Sequence, residues 1–554
     1  MRKALFLSLL AACGASGHAD QGNVTSGADA GVGGVSFGGQ QDIGEFRGII
    51  NNGGIPGPDT LDANGFFNEH YAPPPMTGCT NTLCLTPGLS VGFDWEREQK
   101  QATLQISVNT NVDPTNYPKR PLDLVVVVDH SGSMAMDGRM TKVQAGLNTL
   151  IDNLADTDRL AIVEFDDQVD VDAPLQPLTT SGRTALHTIV NNLAPRGATD
   201  IFDGLKAGFD LSAAAIDPTR ESRVIFLSDG LATYGNTSDP AILTMADGYV
   251  ERGIGLTTIG VGNEFDVTLM RGLAEHGAGN FYFLQDASAA TEVFQQELQY
   301  FASPIALDIT IDAVAGEGFD FDEVVGSTLW QSSSRSGTMH IPAAFVASRT
   351  GPAPDPGTGG RRGGGSMLFI KVVPTGNNPT NKVADLTLNY HVPGSAQVVT
   401  QTITLQYPTD GSETVDAPYL SAPEMAKRYA MYNLFLGLRD ATANTQYPSC
   451  AMAYLTAIRN HAAAWNATRE DPDIADDITL IDHFNQNLAT VGGYAGASID
   501  SCAYGGYPYP DGADAGYDPQ PPYGNDTYNG ACNAGGSPGW LLGVLLVALR
   551  RRKR

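Results

Sequence analysis

The residues best suited to chemistry in this chain are oxygen donors. Asp129-His130-Ser131-Gly132-Ser133 is an Asp-x-Ser-x-Ser turn that offers one carboxylate and two hydroxyls within five positions. Oxygen-only ligation suits hard divalent cations, and Mg2+ takes six oxygens at about 2.0–2.1 Å while keeping waters readily. One turn supplies too few donors, so partners are needed from other loops. Two stretches provide them. Arg196-Gly197-Ala198-Thr199-Asp200 carries the Thr199 hydroxyl, and Ser228-Asp229-Gly230 carries the Asp229 carboxylate. Asp, Ser and Thr are also common cap and turn residues, so these pieces count only if the fold places them together.

Other constellations are weaker. Asp482-His483 falls on an amphipathic helical stretch with no nucleophile nearby, and Glu69-His70 lacks the second His of a metalloprotease helix. The chain has no Gly-x-Ser-x-Gly elbow and no phosphate loop. Asp166-Asp167 and Asp170-Val171-Asp172 suit either a Ca2+ loop or a solvated one. No general base is evident beside the Asp129 turn, so an enzyme is not expected.

The elements that must position these donors are legible. Leu124–Val128 is a continuous apolar run, as expected of a strand buried on both faces, with Leu122 at its start. It leads directly into Asp129. Helical periodicity follows over Arg139–Leu154, then a strand over Leu160–Phe165 and helices around Leu186–Leu193 and Ile201–Ala215. Val224–Leu227 reads as a strand that ends at Ser228-Asp229. Ala241–Val250 is helical, Ile254–Val261 a strand, Val267–His276 helical, Asn280–Leu284 extended and Ala287–Tyr300 helical. Such alternation predicts an α/β fold, a doubly wound, mostly parallel sheet with helices on both faces. Ligands of such sheets lie beyond the carboxyl ends of the strands, where all three donor stretches fall.

Beyond Ser303-Pro304 the apolar period becomes two, through Ile305, Leu307, Ile309 and Ile311, which predicts a β-sandwich-like region. The Gly/Pro/Arg stretch Gly351–Ser366 interrupts it. Ser421-Ala422-Pro423-Glu424 reads as a capping box opening a helical region, with further helices near Met452–Ala462 and Ile478–Leu488. Upstream, Phe46, Ile49 and Ile50 have helical spacing, and Leu104, Ile106 and Val108 alternate as in a strand.

The three-loop donor pattern resembles the metal-ion-dependent adhesion site of von Willebrand factor A domains, and the likeness extends from about Pro121 to Phe301. It implies that Asp129, Ser131, Ser133, Thr199 and Asp229 surround one Mg2+ or Mn2+ (Ca2+ being the alternative), with Asp229 acting through water. One coordination position is then left for an acidic side chain of a partner protein. The flanks, from Phe46-Arg47 through Gly54-Ile55-Pro56 to Glu69-His70 and again after Ser421, resemble those of exported bacterial proteins with this domain, extending the likeness to roughly residues 37–490.

Of 554 residues, 61 are acidic and 33 basic, for a net charge of −28, which argues against nucleic acid or an anionic membrane surface as partner. Arg2 and Lys3 before the apolar run Ala4–Ala12 form a signal-peptide pattern. Leu10-Ala11-Ala12-Cys13 resembles a lipobox that would lipidate Cys13, and cleavage after Ala19 is the alternative. At the other end, Cys532, the apolar stretch Trp540–Leu549 and Arg550–Arg554 resemble myxobacterial surface-sorting tails. The apolar stretch rises only about 15 Å as a helix, half a hydrocarbon core, so removal as a sorting signal suits it better than a tail anchor. With Cys13 and Cys532 assigned to processing, Cys79, Cys84, Cys450 and Cys502 remain, an even count that favours disulfides in an oxidising compartment. Cys79 with Cys84 would close a tight loop, and Cys450 with Cys502 a long one.

The expected organisation is therefore a signal peptide (1–19), a flanking segment (20–117), a von Willebrand factor A domain (118–302), a β-rich domain (303–412), a helical region (418–495), a Tyr/Pro/Gly linker (496–531) and a sorting or anchor tail (532–554). The expected role is that of an exported, surface-anchored, non-enzymatic module that captures a protein partner through Asp or Glu. A structural envelope scaffold with a loop-stabilising metal is the alternative, and a metal-dependent hydrolase the weaker one.

Overall fold

The computed structural model describes residues 33–37, 43–72, 79–112, 120–262, 265–284, 293–294, 304–327, 329–347, 365–375, 381–407, 412–415 and 417–503. The signal segment, Cys13, the sorting tail with Cys532 and most of both the linker and the 351–366 stretch lie outside these residues. So does the expected helix Ala287–Tyr300, except 293–294.

The central unit is a six-stranded sheet in the order Phe281–Leu284, Ile254–Val261, Glu221–Ser228, Leu122–Asp129, Arg159–Phe165, Val169–Pro177. Five strands are parallel, and the last pairs antiparallel with Arg159–Phe165. The valine run explains its own burial. Leu124, Val126 and Val128 face one side and pack with Val143, Leu147 and Leu150 of helix Arg139–Asn153. Val125 and Val127 face the other, against Leu205 and Phe209 of helix Ile201–Ala213. Alternate residues thus serve two cores, as a doubly wound sheet requires. The strand Val169–Pro177 was not foreseen. Its exposed, acid-rich edge reads as a loop because only Ala173 is fully buried.

Around this unit the chain builds a β-sandwich and a helical core. One antiparallel sheet includes Ala306–Ala315, Ser336–Val346, Lys382–His391 and Val398–Gln406, and also takes in Gly33–Phe37, Cys84–Leu85 and Val108–Thr110. The facing sheet joins Phe319–Val325 and Leu368–Pro374 to Lys100–Ile106, Gly88–Phe93 and Tyr419–Leu420. Leu104 and Ile106 from one sheet meet Ile309, Ile311 and Leu388 from the other in a single core. The segment 20–117 therefore does not stand apart from 303–412. It supplies strands to both sheets, with the parallel-sheet unit inserted between, a pairing too distant in sequence for periodicity to reveal.

Helices Met425–Ala443, Pro448–Asn466 and Pro472–Thr490 likewise share a core with Gly44–Asn51 and Ala63–Asn68, where Phe46 meets Phe484 edge-on. A buried polar network crosses the same joint. Arg47 donates to Glu69 (2.6 Å) and Asp477 (2.9 Å), and His70 Nε2 lies 2.6 Å from the other Asp477 oxygen. The expected capping box is not formed. Ser421 Oγ accepts from the Leu89 amide instead (2.9 Å), and the helix begins at Met425 without a side-chain cap.

Candidate metal centre

All three donor loops lie at the carboxyl edge of the parallel sheet. Pairing of Val128 with Leu227 brings Asp129 level with Ser228, at the ends of neighbouring strands. Asp129 is fully buried. Its Oδ1 accepts from the Ser131 amide (2.8 Å) and its Oδ2 from the Ser228 hydroxyl (2.6 Å). Ser131 Oγ and Ser133 Oγ share a hydrogen bond of 3.0 Å, and Ser133 Oγ donates to Asp229 Oδ1 at 2.8 Å. Asp229, also fully buried, has its Oδ2 held by Arg139 Nη1 at 2.8 Å. Thr199 completes the group. A side-chain carbon at Gly230 would lie 3.7 Å from Thr199 Oγ1 and 3.8 Å from Ser133 Oγ, so both hydroxyls open onto one glycine-lined space.

The loops are tied to one another by the protein itself. Gly132 donates to Gly197 O (3.2 Å) and Arg196 to His130 O (2.6 Å), linking the first loop to the second. Thr233 and Tyr234 both donate to Thr199 O, at 2.9 and 3.1 Å, linking the third. Gly197 has φ +70°, and a side chain there would press on Asp166, so the second loop depends on glycine for its path. Burial pushes the Asp129 carboxyl up to about 6, against the lowering effect of its Ser228 and Ser131 hydrogen bonds, and nearby Asp229 adds to the rise. A buried carboxylate beside another favours an incoming cation.

Two carboxylates and three hydroxyls on tied loops are a donor set that fits Mg2+ or Mn2+, hard ions that accept neutral oxygens and retain waters. Among the described residues no group of three or more His, Cys, Asp or Glu is placed to hold a metal. The Ca2+ alternative at Asp166 to Asp172 meets a competing cation, since Arg196 pairs with Asp166 (2.9 Å) and Asp170 (2.7 Å). Asp482 pairs with Arg459, and His483 meets Asn51. Cys79 is bonded to Cys84 and Cys450 to Cys502.

Residues 123–296 match the family model of the von Willebrand factor type A domain. This segment is a von Willebrand factor A domain. A Synechocystis protein of uncharacterized function, sll0103, is 30% identical over 36% of this chain and 46% of its own length. The uncharacterized Escherichia coli protein YfbK is 27% identical over 34% of this chain and 32% of its own. Mouse inter-alpha-trypsin inhibitor heavy chain H2 is 26% identical over 40% of this chain and 24% of its own. The chain thus spans less than half the length of these curated relatives. Among solved structures, a von Willebrand factor type A protein from Catenulispora acidiphila aligns over 71% of this chain and 89% of its own, with 15% identity and a TM-score of 0.46. Von Willebrand factor A domains are mostly adhesion and interaction modules.

Sequence reasoning missed two groups at this centre, Ser228 and Arg139. Ser228 could have been found from its place at the end of a central strand. Arg139 carried no such sign, because its reach to Asp229 depends on how its helix enters the sheet edge.

Proposed function

We propose that this domain holds Mg2+ or Mn2+ on Asp129, Ser131, Ser133, Thr199 and Asp229 and uses it at the cell surface to capture an acidic side chain of a protein partner. The observation that carries this reading is the set of five oxygens on loops already tied by backbone hydrogen bonds. Loops held in this way have little need of a metal to stiffen them, which favours capture over a purely structural ion. The rim adds support. Met136, Leu231 and Tyr234 belong to the first and third loops and are 45%, 55% and 52% exposed, unusual for large apolar side chains beside buried carboxylates. Such a rim suits a protein surface around the incoming carboxylate. The −28 net charge repels acidic partners at long range, but salt screens this beyond about 8–10 Å and the cation reverses it locally.

The test compares wild type with Asp129→Ala in a cross-linked surface pull-down, with and without EDTA. Mn2+ calorimetry on the same proteins accompanies it. Loss of both Mn2+ binding and partner recovery is expected. Partner recovery indifferent to both EDTA and the substitution would overturn capture. Mn2+ binding that raises melting temperature while leaving recovery unchanged would support the scaffold reading instead.

A further inference from the structure

We infer that Arg139 is a positioning residue that fixes how Asp229 meets the cation, and that it biases the centre against Ca2+; this rests on the reading of the centre given above. Arg139 opens the helix Arg139–Asn153 directly behind the Asp-x-Ser-x-Ser turn and is only 3% exposed. Its Nη1 donates to Asp229 Oδ2, whereas Ser133 donates to Asp229 Oδ1. The two oxygens of this carboxylate are therefore unequal. One faces the hydroxyl donors, and the other is committed to the guanidinium.

A fourth loop at the same sheet edge is shaped around the guanidinium. Gly262 follows the strand Ile254–Val261 with φ +80°, and a side-chain carbon there would overlap Arg139 Nε. Glycine at this point meets two demands at once, the left-handed backbone and the space for Arg139. Entry of the helix is also left-handed, through Gly138 at φ +67°. The chain thus uses two glycines to bring one buried Arg onto one metal-facing carboxylate.

Two consequences follow from charge and geometry. The guanidinium leaves the centre with a single net negative charge, which weakens attraction for any divalent ion but keeps the loaded centre net positive toward a partner's carboxylate. It also bars Asp229, expected to act on Mg2+ through water, from closing directly onto a larger ion with both oxygens. Ca2+ takes six to eight oxygens and often a bidentate carboxylate, whereas Mg2+ keeps an octahedral shell with several waters. Loss of one carboxylate oxygen therefore disfavours Ca2+ more than Mg2+ or Mn2+.

The experiment is calorimetric titration of the full chain with MnCl2 and with CaCl2, for wild type, Arg139→Gln, Gly262→Ala and Asp129→Ala. Arg139→Gln is expected to tighten both ions, and to tighten Ca2+ about tenfold more than Mn2+ because it restores the second oxygen. An unchanged Ca2+ to Mn2+ ratio would overturn the inference. Should Arg139→Gln fail to fold by far-UV dichroism, Gly262→Ala displaces the guanidinium while keeping its charge. The same ratio then shifts about threefold toward Ca2+, and an unchanged ratio would overturn the inference equally. Asp129→Ala separates the two levels of the argument. If it binds Mn2+ as wild type does, or if wild type binds none, the centre itself is misassigned and the role of Arg139 falls with it. A bound wild type with an unmoved ratio sinks only Arg139.

Discussion

Asp129→Asn should make the metal-free protein more stable and the metal-loaded comparison less favourable. Asp129 is fully buried, and burial raises its carboxyl from 3.8 to about 6. A shift of about two units corresponds to about 3 kcal/mol at 1.36 kcal/mol per unit. The raised value means that the folded chain holds this proton more tightly than the unfolded chain. Between about pH 4 and pH 6 the folded state therefore binds the extra proton, and the stability contribution of this group falls as pH rises across that window. Above pH 7 the full cost of the buried charge is present. Asparagine carries no such cost. Its Oδ1 can accept from the Ser131 amide, and the Ser228 hydroxyl can turn to accept from its Nδ2.

At pH 8 in EDTA, Asp129→Asn is accordingly expected to gain up to about 3 kcal/mol, which for a unit of this size is a rise in Tm of up to about 10 °C. At pH 4 the gain should vanish. Addition of Mn2+ at about a thousand times its Kd reverses the ranking, because wild type then gains about 4.1 kcal/mol while the variant gains little. Scanning calorimetry is the suitable assay, since the four tryptophans, Trp95, Trp330, Trp465 and Trp540, all lie outside residues 123–296. A variant less stable than wild type in EDTA at pH 8, or one stabilised by Mn2+ to the same extent, would refute the reasoning.

Three further outcomes are expected. Gly204→Ala puts a carbon into the Phe165 ring beneath helix Ile201–Ala213 and should cost about 1–3 kcal/mol in thermal unfolding, by overpacking. Replacing Cys450 and Cys502 by Ser removes a bridge spanning 52 residues and should cost up to about 4 kcal/mol, read by Trp465 fluorescence in denaturant. Glu45, buried in the helix Gly44–Asn51, has its carboxyl raised to about 7 by burial and then by Asp59. Its contribution therefore falls as pH rises from about 4.5 to 7, and wild type should lose up to about 3 kcal/mol between pH 5 and pH 8 that Glu45→Gln retains, measured by denaturation at the two pH values.

What the sequence disclosed and what it hid follow one physical division. The parallel sheet was legible because Leu124–Val128 is apolar on both faces and each following helix keeps its own period, so every element declares itself locally. Donor positions were legible because they stand immediately after strands or before a helix. Hidden were the features fixed by contacts across the chain. The pairing of Gly33–Phe37 with Ser336–Val346 joins residues some three hundred positions apart, and no local pattern marks it. Ser421 illustrates the same point at short range. Its spacing from Glu424 fits a capping box, yet the Leu89 amide from a neighbouring strand takes its hydroxyl. In sequence Arg139 marks only the start of a helix, and its charge acquires meaning through Asp229, ninety residues away.

The ties between loops bear on how such a centre could work reversibly. If the ion were needed to gather the loops, its binding energy would go into ordering them, and release of a partner would risk collapse of the site. Here Gly132, Arg196, Thr233 and Tyr234 already hold the three loops through backbone hydrogen bonds. Four of the five donors also have a protein partner before any ion arrives, Asp129 with Ser228, Ser131 with Ser133, Ser133 with Asp229 and Asp229 with Arg139. Binding then exchanges one set of short polar contacts for another with little change in chain order. Under the proposed capture, the ion's free energy would remain available for the position facing outward, where a partner's carboxylate would displace water and leave again. Preorganisation of this kind lowers the entropic cost of each encounter, and it makes affinity depend on the charge left at the centre, which Arg139 sets.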